Sequence, residues 1–257
     1  MKTIEESVVT AMDGSDKDLF PFLPYILQDL WEIGADPNAI VKLISKYFTN
    51  CADLKVLDLG CGKGAVSVKV AKSLGCNCYG IDAIAEFVEY AQNKALEFKV
   101  EHLCRFETGD IREKVKELSG YDIIILGAIG PVFGDYYATL TTLSGCINKN
   151  GIFIIDDGYI ENSSDYSHPL ILKKETINKQ INKAGMQLIE DDIIQRDDIK
   201  VSDDYIFDKL KMRCNELIEN QPDKRELFLD YLKKQVEEND VLENKVVCST
   251  MVIKRKN

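Results

Sequence analysis

At 257 residues, with 45% apolar and 29% charged side chains, the chain can bury a sizeable core without disulfides or metals and has ordinary globular composition. Its 32 basic against 43 acidic residues give a net charge of −11, which argues against a nucleic-acid binder that must displace counterions from phosphates, and against an anionic membrane surface. The longest nearly apolar run, Ile123 to Phe133, falls far short of the ~20 residues that cross a bilayer, and the polar opening MKTIEESVVT is expected to carry no signal peptide.

Residues 1–50 read as helical. Asp36-Pro37 supplies an N-cap and a first helical residue, and Ile40, Val41, Ile44 and Phe48 then share one apolar face. The aromatic stretch Phe20 to Trp31 fits either a lid or plain core packing of an added helix. Lys55 to Leu59 is a short strand ending in glycines, followed by a helix over Ala65 to Leu74 and a second strand over Cys76 to Asp82. Ile84, Phe87, Val88, Ala91 and Ala95 recur at helical spacing. Cys104 to Asp110 is a third strand, and Tyr121 to Ala128 a fourth with the β-branched continuity of a strand buried on both faces. Asp135 to Leu143 is a helix, Gly151 to Asp156 a fifth strand, Lys173 to Ala184 a helix and Met186 to Ile194 a sixth strand. Residues 195–245 are mostly helical, with Pro222 opening one helix and Leu227, Phe228, Tyr231, Leu232 and Val236 lining a face. Lys245 to Lys254 closes the chain as a strand.

Such alternation implies an α/β fold, a parallel sheet with helices on both faces and ligands at the carboxyl ends of the strands. The expected organisation is a helical cap over 1–50, an α/β core over 51–194, a helical insertion over 195–245 and a final core strand over 246–257. The eight cysteines lie mostly in apolar strand-like runs, as reduced cytosolic thiols do. Cys76 and Cys78 read as small apolar residues on one sheet face rather than a soft-metal pair. His102 and His168 have no second ligand at zinc spacing. A cytoplasmic protein without a metal site is expected; the oligomeric state is not legible.

The first strand runs into Asp58-Leu59-Gly60-Cys61-Gly62-Lys63-Gly64 and then a helix. Glycines there allow positive φ and close approach of a ligand to the backbone. The segment also satisfies the loose G-x-G-x-x-G/A pattern of dinucleotide binders. The charges argue otherwise. A pyrophosphate wants amide donors and no nearby carboxylate, whereas Asp58, Asp82 and Asp110 are all expected at one sheet edge. A ligand with positive charge, hydroxyls and an amino group, and without phosphate, suits that edge. S-adenosylmethionine (SAM) meets the description.

On these residues, together with Tyr79-Gly80-Ile81 before Asp82, Gly109-Asp110-Ile111, Tyr121-Asp122-Ile123-Ile124 and Gly151-Ile152-Phe153, the chain resembles the class I SAM-dependent methyltransferases over roughly residues 50–195. The resemblance implies a Rossmann-like, seven-stranded doubly wound sheet of order 3-2-1-4-5-7-6 with strand 7 antiparallel. It implies that the loop of Gly60, Gly62 and Gly64 passes under the methionine part of SAM and that Asp58 organises its ammonium end. Asp82 would accept the two ribose hydroxyls, with Ala83 and Ile84 flanking the adenine. Asp110 would accept from the adenine amino group, the Ile111 amide would face a ring nitrogen, and carbonyls near Gly127 and Ala128 would line the methionine side.

Methyl transfer from a sulfonium is an in-line displacement, so the protein mainly aligns and desolvates. A base is needed only if the acceptor must lose a proton. Candidates after the fourth and fifth strands are Asp135, Tyr136, Tyr137, Asp156, Asp157, Tyr159 and His168. Asp156-Asp157 fits either a pair that orients an amine or cation, or a solvated loop. The long stretch 195–245 would be a second cap walling off a small-molecule site. Gly127-Ala128-Ile129-Gly130-Pro131 stands after the fourth strand where a nucleic-acid amine methylase would carry Asp/Asn-Pro-Pro-Tyr/Phe. The expected function is methyl transfer from SAM to a nitrogen or oxygen of a small molecule, yielding S-adenosylhomocysteine. The alternatives are an NAD(P)-dependent oxidoreductase, which leaves Asp58 and Asp110 unexplained, and a non-catalytic SAM-binding interaction module.

Overall fold

In the computed structural model, which describes residues 2–256, the strands are β1 (Lys55–Leu59), β2 (Asn77–Asp82), β3 (Cys104–Thr108), β4 (Tyr121–Gly127), β5 (Ile147–Tyr159), β6 (Met186–Ile193) and β7 (Val247–Arg255). They form one sheet in the order β3-β2-β1-β4-β5-β7-β6. The pairs from β3 to β5 are parallel, and β7 lies antiparallel between β5 and β6. Sheet order and the reversed last strand are as the resemblance implies. The helices are α1 (Ile4–Ala11), α2 (Leu23–Ile26), α3 (Pro37–Tyr47), α4 (Ala65–Leu74), α5 (Ala85–Glu97), α6 (Ile111–Lys114), α7 (Tyr136–Leu143), α8 (Lys174–Lys183), α9 (Arg196–Asn220) and α10 (Arg225–Asn244).

Local chemistry accounts for where elements start and stop. Pro37 opens α3 while Asp36 accepts from the Asn38 amide at 2.8 Å. β3 stops two residues short of the predicted end because Asp110 leaves the ladder to cap α6. β4 stops at Gly127 because Ala128 turns to φ +56°. β5 runs three residues past its predicted end. Its parallel pairing with β4 ends at Gly127–Asp156, but its antiparallel pairing with β7 continues to Tyr159–Val247. Neighbours on both sides thus set its length, which its own sequence does not reveal.

Burial divides into three cores. One face of the sheet packs Val56, Ile123, Ile125, Ile154 and Val252 against α3, α4 and α5. The other packs Leu57, Ile124, Phe153, Ile155 and Met251 against α7 and α8. The third joins the two ends of the chain. Leu19, Leu23, Ile26, Leu27 and Leu30 meet Leu210, Cys214 and Leu217 of α9, Phe228 and Tyr231 of α10, and Ile84 and Phe87 beside β2. The aromatic N-terminal stretch is therefore genuine core, and that core sits on the carboxyl edge of β2. We refer to residues 17–36 as the strap.

Candidate active site

The carboxyl ends of β1 and β2 bring the glycine bend and two carboxylates together. Gly60, Gly62 and Gly64 have φ of +72°, +51° and +74°. At Gly64 a Cβ would lie 2.6 Å from Ala91 Cβ, and at Gly60 2.5 Å from Ile129 Cγ2, so both positions also require the absence of a side chain. Gly60 and Cys61 donate their amides to the Ile81 carbonyl at 2.8 and 3.1 Å, which seats the bend on the end of β2.

Asp82 accepts from the Gly62 amide at 2.8 Å through one oxygen and from the Ile84 amide at 2.9 Å through the other. A carboxylate oxygen has two lone pairs, so each still has capacity for a hydroxyl. Asp58 is 3% exposed and accepts from the Ser67 hydroxyl at 2.7 Å. Burial, aided by the Asp82 charge, pushes its carboxyl up to about 6. Burial also raises Asp82. Ile84 is buried in the third core, and Ala83 is half-buried before it.

Asp110 reaches the same edge, but its oxygens are occupied. They accept from Arg112 Nε at 2.9 and 3.0 Å, from Nη2 at 2.7 Å and from the Arg112 amide at 2.9 Å. Arg112 holds that carboxyl below its ordinary value. Arg112 also donates to the Lys2 carbonyl and the Ser7 hydroxyl, tying α1 to this corner. The buried Ile111 begins the short α6 there.

Across the switch from β1 to β4, Ala128 is exposed and takes the left-handed backbone, a strained geometry for a residue with a Cβ. Its amide donates to the Asp156 carbonyl at 3.1 Å. Gly34 and Ala35 of the strap press against Ala128 and Gly127.

The acceptor candidates separate. Asp156 shares the sheet face of Ile154 and accepts from the Thr250 hydroxyl at 2.9 Å. Burial, with the charges of Asp157 and Asp36, pushes it up to about 6. Asp157 points to the opposite face. It accepts from the Tyr136 hydroxyl and the Gly158 amide, both at 2.7 Å, and burial raises it. Tyr159 is 2% exposed, donates to Asp191 at 3.1 Å and accepts from Lys174 at 3.0 Å, a network between β5, β6 and α8. Asp135 is exposed and caps α7 by accepting from the Ala138 amide. Tyr137 lies under the Lys183 ammonium, 4.2 Å from the ring centre. His168 accepts at Nδ1 from the Leu170 and Ile171 amides, which leaves Nε2 carrying the proton in the neutral ring. Burial raises the Glu238 carboxyl of α10.

Sequence reading also missed a separate acidic group made by Asp13, Asp203 and Glu238. Asp13 is exposed as a residue, but its carboxyl accepts from Gln235 Nε2 at 3.4 Å and is raised by desolvation and then by the charges of Glu238 and Asp203. Asp203 of α9 is raised to about 6 by burial and neighbouring acids. The Cys248 thiol is pushed up to about 12 by burial and then by Asp156, Asp203, Asp157 and Glu238. These acids are far apart in sequence. No local spacing announces them. Lys63, by contrast, stands in plain view as a lysine among glycines, and only the fold shows what its ammonium holds.

This edge is hostile to phosphate. The Gly62 amide is committed to Asp82, the Lys63 ammonium to the carbonyls of Leu27 and Leu30, and Arg112 to Asp110. A cationic, hydroxyl-bearing nucleoside such as SAM fits it, and a dinucleotide does not.

A family profile described as a methyltransferase domain matches residues 51–207. Among curated proteins, the ribosomal protein L11 methyltransferase of Alkaliphilus oremlandii is 26% identical over 150 residues, 58% of this chain and 42% of that protein. The ubiquinone biosynthesis O-methyltransferase of Rickettsia felis is 28% identical over 119 residues, 45% of this chain and 46% of that protein. These matches span less than half of either relative. Among solved structures, a SAM-dependent methyltransferase from Thiobacillus denitrificans in complex with S-adenosylhomocysteine superposes with a TM-score of 0.72 at 18% identity, covering 91% of this chain and 97% of that one. The cyclopropane synthase MmaA2 from Mycobacterium tuberculosis superposes with a TM-score of 0.74 at 14% identity, covering 98% and 99%. At such identities the likeness is one of fold.

Proposed function

The chain belongs to the methyltransferase-domain family, and on that footing we propose that it transfers a methyl group from S-adenosylmethionine to a nitrogen or oxygen of a small molecule. The observation that carries the donor half is the carboxylate edge around the glycine bend, with its amide and cations already committed to protein partners. Bound there, the donor supplies a methyl group already activated on a sulfonium. Asp82 takes the ribose hydroxyls on its remaining lone pairs, Asp58 faces the ammonium end, and Gly60, Gly62 and Gly64 admit the methionine part close to the main chain. Ala83 and Ile84 flank the adenine. The Ile111 amide reads the ring, and Asp110 reads the amino group once Arg112 yields an oxygen. Gly127 and Ala128 line the methionine side.

The acceptor half rests on the strap and on the α9–α10 pair, which act as caps around the end of β5. The carboxylates of Asp156 and Asp157 favour an acceptor carrying an amine. Asp156, with a value near 6, is suited to receive the proton of such an amine at neutral pH. His168, Tyr159 and Asp135 are committed to loop, network and cap roles and rank below it. An acidic chain suits a metabolite better than a nucleic acid, although relatives carry names that point to a ribosomal protein and to tRNA. Eight free cysteines suit a reducing cytoplasm, and among the described residues no helix is long and apolar enough to cross a membrane.

Two measurements test the proposal. Thermal shift should respond to S-adenosylhomocysteine and not to NADH; the reverse would establish the oxidoreductase reading. Incubation with methyl-labelled donor should label a metabolite extract; label confined to protein or RNA, or donor binding without any turnover, would refute the small-molecule acceptor.

A further inference from the structure

Lys63 sits inside the glycine bend and is only 4% exposed, yet it forms no ion pair among the described residues. Its ammonium donates to the Leu27 carbonyl at 2.6 Å and to the Leu30 carbonyl at 2.7 Å. The rings of Tyr90 and Phe87 lie 4.8 and 5.5 Å from it. The same residue is held in the other direction, because its carbonyl accepts from the Trp31 indole at 3.0 Å. Leu27 caps the short α2, where helix carbonyls have no partner of their own. Residue 63 thus exchanges three hydrogen bonds with residues 27–31 of the strap, while its neighbour Gly62 donates to Asp82.

The strap is tied on its other side to α9. Arg213 donates to Asp29 at 2.6 and 2.8 Å, and Tyr25 donates to Glu216 at 2.7 Å. A continuous set of polar bonds therefore runs from the bend, through the strap, to the helical insertion. An unpaired buried ammonium is costly, so a lysine that served only to fill space would be better replaced by an apolar residue.

We propose that Lys63 is a positioning residue that couples occupancy of the glycine bend to docking of the strap, and through Asp29–Arg213 to the insertion that walls the acceptor side. This rests on the bend being the donor site. Coupling is reciprocal: whatever the docked strap adds to ligand affinity, the ligand adds to strap docking.

Trp31, the single tryptophan of the chain, reports on this contact directly. In the full chain, Lys63→Met should weaken S-adenosylhomocysteine binding by about tenfold or more, within the ordinary range of coupling between sites. It should also red-shift Trp31 emission in the free protein, and saturating ligand should reverse part of that shift. In the wild type, S-adenosylhomocysteine should protect residues 17–36 from limited proteolysis, a measurement that holds even if Lys63→Met does not fold. The coupling is overturned if Lys63→Met binds like the wild type with unchanged emission, or if the ligand leaves strap cleavage unaltered. Binding by the wild type that is lost in Asp82→Ala but kept in Lys63→Met would sink the coupling alone. A wild type that binds no S-adenosylhomocysteine would sink the donor reading with it.

Discussion

The β1–β2 edge and the β4–β5 edge of the same sheet are built by different means. At the first, main chain does the work. Positive φ at Gly60, Gly62 and Gly64 shapes the bend, and amides fix Asp82 from both sides. At the second, side chains do it. Asp156 and Asp157 point to opposite faces, each held by a hydroxyl from another element, Thr250 or Tyr136. Backbone geometry tolerates few sequences, whereas a side-chain wall can be redrawn without touching the sheet. On the proposed reading, a fixed donor edge beside a changeable acceptor edge would let one fold serve many acceptors, and the relatives carry varied names.

The sharpest way to break that contrast is within the bend itself. Gly64→Val forces a β-branched residue into the left-handed region and drives its Cβ against Ala91 and Phe106. Strain and overpacking together should cost roughly 2–5 kcal/mol by chemical denaturation. Gly62→Ala meets nothing within 4 Å, so only the backbone penalty of about 1–2 kcal/mol remains. Equal losses at both positions would mean that the bend is not held by the close approach of α5 and β3.

Next comes ligand linkage. S-adenosylhomocysteine at 100 times its dissociation constant should stabilise the wild type by about 2.7 kcal/mol. Asp82→Ala should remove most of that gain, since it deletes the proposed ribose acceptor and releases the Gly62 amide. A variant that responds like the wild type places the ribose elsewhere.

How much of this was legible follows the same division. The bend and the carboxylates Asp58 and Asp82 could be read, because strand ends and glycine clusters leave local marks; the sheet order came only with the family resemblance, since no periodicity encodes it. The far end of β5 could not be read, since its partner β7 lies some ninety residues on, as in the pair Tyr159–Val247. Nor could the occupation of Asp110 by Arg112, although the two are only two residues apart. The same guanidinium also donates to the Lys2 carbonyl and the Ser7 hydroxyl, tertiary contacts that no local spacing announces. Asp13, Asp203 and Glu238 were invisible for the same reason: tertiary packing of the termini brings them in, and no periodicity encodes it.

Asp58 offers a smaller test with a definite sign. Its carboxyl is raised to about 6 in the fold from an ordinary 3.8, so the folded state holds a proton that the unfolded chain has released. Stability should therefore fall as pH rises through that window and level off above it. Asp58→Asn escapes the penalty, keeps a partner for Ser67, and should be more stable by about 1–3 kcal/mol at pH 8 with little change at pH 4. It should also bind S-adenosylhomocysteine more weakly, the usual exchange of stability against function. A destabilised variant at pH 8 would show that the ionised carboxylate is held by more than Ser67.

The smallest expected effect lies at the acceptor edge. Tyr136→Phe removes one buried hydroxyl, leaves the packing of α7 intact and should cost about 1 kcal/mol. Its diagnostic value is in the pH dependence. The Tyr136 hydrogen bond lowers the Asp157 carboxyl against a larger upward push from burial, so deleting it raises that carboxyl further. If ionised Asp157 orients a cationic acceptor, the acid limb of the methyl-transfer rate must move toward neutral pH in the variant. If Asp156 acts alone, on the other face of β5, the limb stays where it is and only stability changes. The two faces of one strand end then answer separately, and the acceptor wall is assigned to one of them.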